Sequence, residues 1–296
     1  MDELIERWRA EGGLLPITRV PGHALANVAE AADLAVLPVG AVEWHGPHLP
    51  LGTDLLLAEG FAGELATGSA RAVLFPAAPY AACPGQTRPW PGTVALRPEI
   101  AVGYLSDVLA GIVEAGFPRL LVVNGHDANL STVRAAMEWV SGRHLASLLL
   151  ANWFQLVSPD ETGEIFGALP ARGHGGAYET SAVLGFDPAT VHLGATPDLP
   201  PKPKLATTYP YVLVESRPDP WQGWSGHVSL ANESAGQRIR QLAGARLREV
   251  IEAWLAAPLP GPPGADRPAS SDQAAWSDRP DGTGRTRLSD DPARHL

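Results

Sequence analysis

The chain has 296 residues, 45% of them hydrophobic, which is enough apolar material for one large core or two small ones. Its formal net charge of −10 argues against nucleic acid or an anionic membrane as partner. Lysine occurs only at Lys202 and Lys204, so no basic patch offsets that charge.

The first residues, Met1-Asp2-Glu3-Leu4-Ile5-Glu6, are acidic and lack the basic and apolar regions of a signal peptide. No apolar stretch reaches about 18 residues, so no membrane span is expected and the default compartment is the cytoplasm. Residues 34–39 read as a strand, with Pro38 suggesting an irregular or edge position. Asp54 is placed to cap a helix over residues 55–65. Residues 72–75 are a second strand candidate. Pro98 sits where a helix would begin, residues 100–115 carry apolar positions at helical spacing, and Gly116 ends them.

A strand at 120–123, a helix at 129–140 and a strand at 148–150 follow. Residues 178–184 start as a helix, and residues 197–204, with four prolines, read as a loop or lid. Residues 235–255 form a long amphipathic helix carrying Ile239, Leu242, Leu247, Ile251 and Trp254. Strands alternating with helices predict an α/β layer fold with a mostly parallel sheet. From Pro258 the composition turns to Pro, Gly, Asp, Arg and Ser. The expected organisation is therefore one domain over residues 1–257 and a disordered tail over 258–296.

Three places carry chemistry. The first is Gly40-Ala41-Val42-Glu43-Trp44-His45-Gly46-Pro47-His48-Leu49-Pro50-Leu51-Gly52-Thr53-Asp54. Glu43 and His45 are two apart and point the same way on an extended backbone. Asp54 follows a Gly/Pro-rich loop that can fold back toward them. Carboxylate oxygens with neutral imidazoles suit a divalent metal such as zinc, manganese or iron, and a bridging carboxylate can hold two. The second is Asn124-Gly125-His126-Asp127-Ala128-Asn129, at the end of an apolar strand. The third is Gly173-His174-Gly175-Gly176-Ala177-Tyr178-Glu179-Thr180-Ser181. Polar groups at the C-terminal ends of parallel strands converge in space.

These motifs, with Pro91-Gly92-Thr93, occur in the order found in the creatininase (creatinine amidohydrolase) family, which the chain resembles from about Leu14 to Leu255. The resemblance implies a three-layer α/β/α sandwich, a homohexamer, and hydrolysis of an amide-like C–N bond by water activated at two divalent ions per subunit, zinc first, with manganese or iron as alternatives. It assigns Glu43, His45, Asp54 and His126 as metal ligands, with Asp54 bridging, and His174 as the catalytic acid/base. A histidine titrates near neutrality, as that role needs.

Creatininase itself has a second-metal glutamate two residues after the histidine of Asn-Gly-His. Here that position is Ala128. Glu179 is the expected stand-in and Asp127 the weaker candidate. The chain looks closer to the mycofactocin-type peptidase members. The histidine that those members carry before Phe-Pro-Gly-Thr is absent from the segment Gly85-Gln86-Thr87-Arg88-Pro89-Trp90, so a different substrate pocket is expected. Arg88, Trp153, Trp221 and Trp224 are candidates to line it, and His48 to hydrogen-bond a ligand from outside. Cys83, the single cysteine, excludes an intrachain disulfide and reads as a small core or loop residue.

The expected substrate is a small-molecule amide or a short peptide. The rival readings are a peptidase that trims a precursor peptide, with an open groove, and an inactive scaffold.

Overall fold

A computed structural model describes residues 3–83, 87–194, 196–200 and 222–261. Five strands form one sheet: β1 (Gly13–Pro16), β2 (Leu34–Val39), β3 (Arg71–Leu74), β4 (Arg119–Asn124) and β5 (Ser147–Asn152). Their order is β1-β3-β2-β4-β5, and every pairing is parallel. Among the described residues there are eight α-helices: α1 (Glu3–Glu11), α2 (Leu25–Ala31), α3 (Thr53–Gly63), α4 (Pro98–Glu114), α5 (Asn129–Ser141), α6 (Pro159–Phe166), α7 (Ala177–Leu184) and α8 (Glu233–Leu255).

The strands read as continuous apolar runs because both faces are covered. Alternate residues divide between two cores. Leu34, Val36, Ala72, Leu121 and Val123 pack with residues of α3, α7 and α8. Ala35, Leu37, Val39, Val73, Leu120 and Val122 pack with residues of α1, α2, α4 and α5. The period-two alternation of a strand thus becomes the α/β/α sandwich.

The connections fix where a site can form. β2 leads through α3, on one face, back to β3. β4 leads through α5, on the other face, outward to β5. β2 and β4 are neighbours, so the chain leaves their C-terminal ends in opposite directions. That divergence opens a crevice, the usual place for a site in a parallel sheet.

The expected strands and helices fall within a residue or two of the observed ones, with two corrections. β2 is central, not an edge. Pro38 is tolerated because the β2–β3 ladder ends at Val36↔Leu74, so its missing N–H breaks no pair there. Asp54 is not a helix cap: Gly52 occupies that position, and Asp54 lies in the first turn of α3. Helices α1, α2 and α6 and strand β1 were not anticipated; they are short, and three of the four flank the N-terminal edge. Met1–Pro260 form one compact unit. The proline-rich loop from residue 201, and the tail from residue 262, lie outside the described residues.

Candidate metal centre

Side chains from the ends of β2 and β4 and from the start of α3 converge in the crevice. The loop after β2 folds back on itself: Glu43 N–H donates to Leu51 O at 2.9 Å, which returns Asp54 to Glu43 and His45. Two glycines permit the close approach of the three backbones. A Cβ on Gly40 would lie 2.6 Å from Leu55 N, and one on Gly125 would collide with the Asp54 carbonyl. This accounts for the glycine of Asn-Gly-His. Its asparagine has a separate task. Asn124 Nδ2 donates to His126 O (2.8 Å) and Asn124 Oδ1 accepts from His126 N (3.1 Å), so one amide grips both sides of the histidine backbone. Asn152 at the end of β5 holds Asn124 in turn (2.8 Å).

Glu43, His45, Asp54 and His126 are all buried. Asp54 Oδ1 lies 3.1 Å from His45 Nε2, and Asp54 Oδ2 lies 3.0 Å from His126 Nδ1. The two oxygens of one carboxylate therefore face two different imidazoles. Glu43 Oε1 is 3.1 Å from His126 Nδ1 and 3.8 Å from His45 Nε2. Glu179 Oε2 is 3.8 Å from His45 Nε2. His174 stacks on His45 with ring centroids 4.1 Å apart, and its Nδ1 is 3.7 Å from Glu43 Oε1. The structure thus brings together Glu43, His45, Asp54, His126, His174 and Glu179.

Neighbours fix the tautomers. His45 Nδ1–H donates to Glu43 O (3.1 Å), which leaves Nε2 as the lone pair facing Asp54. His126 Nε2–H donates to Ala82 O (3.1 Å), which leaves Nδ1 facing Glu43 and Asp54. Backbone carbonyls that orient imidazoles through one nitrogen and leave the other facing carboxylates are what the outer shell of a metal site requires. His45 Nε2 and Asp54 Oδ2 are buried and have no hydrogen-bond partner. Such orphaned groups are costly unless something else satisfies them.

The electrostatics say the same. Burial alone would lower His45, but Asp54, Glu179 and Glu43 outweigh it and push it up to about 10. Burial opposes the charge of His126 too, yet Glu43 and Asp54 raise it well above its ordinary value. Burial would raise Glu43, but His126, His174 and His45 hold it well below the usual carboxylate range. Burial, with the charge of Asp54 opposed by that of His45, lifts Glu179 to about 7. The carboxylates thus favour positive charge at this place, which is what a bound cation would supply. His174 is pushed down to about 4 by burial and by His45, not held near neutrality.

Other expectations fare unevenly. Trp153 lies in the apolar core, stacked between Phe61 (5.1 Å) and Tyr178 (5.5 Å), because its indole fills the layer against α3 and α7. Arg88 is exposed on the turn that Trp90 N–H closes onto Thr87 O. Trp224 is buried, its ring edge-on to His48. Trp221 lies outside the described residues. Asp127 is exposed and contributes no side chain to the acid–histidine cluster, since its backbone enters the turn before α5.

Two neighbours were not foreseen. Thr87 Oγ1 donates to Glu43 Oε2. Cys83 Sγ lies 3.8 Å from His126 Nε2, and with Glu43 and His126 it forms a buried trio whose ligand atoms all lie within 4.8 Å of one another. Cys83 is also part of a small apolar cluster with Ala41 and Ala81, as a core residue would be. The loop between β3 and α4 delivers both residues, and it has no periodic signal to announce them.

The family model described as creatinine amidohydrolase matches residues 22–251. The chain belongs to the creatininase family. It is 26% identical over 242 residues to a creatinine amidohydrolase of Pseudomonas putida, covering 76% of this chain and 91% of that protein. It is 32% identical over 165 residues to a mycofactocin precursor peptide peptidase of Mycolicibacterium smegmatis (53% and 60%). It is 29% identical over 149 residues to a 3-dehydro-scyllo-inosose hydrolase of Thermotoga maritima (50% and 45%), so the match spans under half of that relative. Among solved structures, a manganese form of creatininase shares the fold, with a TM-score of 0.67 at 22% identity over 82% of this chain and 99% of that one. The fold and the family are thereby fixed, and buried side chains able to bind a metal are in place.

Proposed function

We propose that this creatininase-family member is a metal-dependent amidohydrolase that cleaves a C–N bond of an amide or cyclic amide. The observation that carries this reading is Asp54, whose two oxygens face His45 and His126 at 3.1 and 3.0 Å with each imidazole's other nitrogen already committed. Two divalent ions would find ligands here: His45, Asp54 and Glu179 would hold one, and Glu43, Asp54 and His126 would hold the other. Glu179 replaces the carboxylate that Ala128 lacks. Zinc is the first choice for carboxylate–imidazole donors, with manganese or iron as alternatives.

Such ions would supply Lewis acidity, polarising the scissile carbonyl and lowering the pKa of a water toward neutrality. The chain's own groups do the rest. Thr87 holds the Glu43 carboxylate in orientation. His174 Nε2–H donates to Trp44 O at 2.6 Å, which turns its Nδ1 toward the cluster, where it would take a proton from the attacking water and pass it to the leaving nitrogen. Its place 3.7 Å from Glu43 Oε1 keeps that nitrogen at the cluster. Nothing in this scheme needs a covalent intermediate.

The similarity to peptide peptidases favours a second reading of the substrate, a short peptide, with the same residues in the same roles. A homo-oligomer, by family resemblance a hexamer, and a tail beginning near residue 258 belong to the same proposal. Treatment with a chelator, followed by zinc or manganese reconstitution against a panel of small cyclic amides and short peptides, is the test. Hydrolysis that survives full metal removal would overturn the mechanism. Hydrolysis of peptides alone would select the second reading.

A further inference from the structure

His48 is completely buried, three residues beyond His45, and is not one of the residues of the acid–histidine cluster. The turn that carries it depends on Gly46, at φ +87. A Cβ there would come within 2.9 Å of His48 Nδ1 and Cε1, so the ring can fold under the loop only because residue 46 has no side chain. The main chain of His48 is anchored as well, since His192 N–H donates to His48 O at 2.9 Å.

The ring reaches across to the third motif. His48 Nε2 lies 2.9 Å from Gly175 O and 3.1 Å from Thr180 Oγ1, and the Thr180 hydroxyl donates to the same Gly175 carbonyl (3.2 Å). Gly175 is the pivot of that motif. Its φ is +64, and a Cβ would lie 2.6 Å from His45 O and 2.9 Å from Trp224 Cβ, so it is wedged against the cluster. Its N–H donates to Glu179 Oε2 at 2.7 Å, while its chain neighbour is His174. One glycine therefore receives His48 at its carbonyl and grips Glu179 with its amide.

We propose that His48 is a positioning residue that sets the Gly175 turn, and through it the Glu179 carboxylate, at the His45–Asp54 half of the centre. The inference rests on the metal reading above. It differs from a core-filling role in one respect: filling the core supports both halves of the centre alike, whereas this path leads to Glu179 and not to Glu43 or His126.

The test uses the full chain stripped of metal. Zinc is titrated calorimetrically, and amide exchange over residues 173–181 is followed in the metal-free protein. The binding step that Glu179 supports is identified as the one weakened in Glu179→Gln. In His48→Ala that step should weaken about tenfold, the size of one lost buried hydrogen bond. The other step should be unchanged, and exchange protection should fall over residues 173–181 but not over β4. His48→Gln, whose amide N–H can reach Gly175 O, should restore most of both. Thr180→Val should shift both in the same direction by less, and it serves if His48→Ala fails to fold. Equal weakening of the two steps, or unchanged protection with unchanged binding, overturns the proposal. A wild-type protein that takes up no zinc overturns the metal reading and this inference with it, an outcome distinct from tight zinc binding that ignores His48.

Discussion

Two groups of charged side chains in this molecule are built in opposite ways. Where α6 meets α8, Glu161 is met by Arg246 through two bonds, Nη1–Oε2 at 2.6 Å and Nη2–Oε1 at 2.7 Å. Ser158 and Glu161 also close a capping box on α6. Each carboxylate oxygen has its donor, and the pair is partly open to water. In the crevice between β2 and β4 the carboxylates of Glu43 and Asp54 face histidines whose donor hydrogens point elsewhere, and His45 Nε2 and Asp54 Oδ2 have no hydrogen bond. This group is buried. A satisfied cluster at the surface holds a helix in place. An unsatisfied cluster in the interior costs stability and persists where a ligand completes it.

Breaking the interior group should have the larger consequences. His174→Ala should keep metal and fold and lower kcat by roughly 10²–10⁴, the range for a lost general acid/base; single-turnover assays with metal content measured in parallel check it. Loss of metal along with activity would make His174 a ligand instead. Glu179→Gln keeps size and polarity but removes a negative charge. Zinc titration should then find one tight site and one much weakened, and two unchanged tight sites would leave Glu179 a purely structural role.

Removing residues 261–296 should disturb neither group. The cut spares Leu259, which lines a small cavity with Leu34 and Phe117, and the Ala257 carbonyl that accepts from Arg119. Metal content and melting temperature should match the full chain, and a large drop in either would show that the tail contributes to the body.

The surface pair should give the smallest effect. Arg246, then Ser158, hold Glu161 down from the usual 4.5 to about 2. A depressed carboxylate contributes stability above its unfolded value that is lost as pH falls through the folded one. Arg246→Met should therefore differ from wild type by a constant, modest amount above about pH 4.5. The difference should shrink between pH 4.5 and 2. Urea midpoints across that range check it, and a difference that grows toward low pH would contradict it.

Most of the fold was legible because its strands and long helices announce themselves. Residues 34–39 and 120–123 are unbroken apolar runs, and residues 235–255 keep helical spacing for six turns. β1 and α2 have only four and seven residues, too few for a pattern. The convergence of Glu43, His45, Asp54 and His126 was readable from motifs that follow predicted strands, whereas His174 and Glu179, which lie just before and within α7, were drawn in by the family resemblance. What the sequence concealed was the support: Asn124 bracketing His126, Thr87 on Glu43, Cys83 beside His126. These depend on which side chain a loop turns inward, and periodicity says nothing of that. Trp153 misled because a tryptophan near a site serves the core as readily as a pocket, and here the Phe61–Trp153–Tyr178 stack decided it.

The most direct test of the metal centre is the metal content of the purified protein, measured beside Asp54→Ala and Arg246→Met. Wild type and Arg246→Met should each carry one to two equivalents of a divalent transition metal per subunit, as expected for a bridged centre. Asp54→Ala should lose more metal than any other single substitution in the cluster, because its two oxygens face both halves of the site. A wild-type protein that binds no divalent metal after incubation with zinc or manganese, or an Asp54→Ala variant that retains its full complement, would contradict the account.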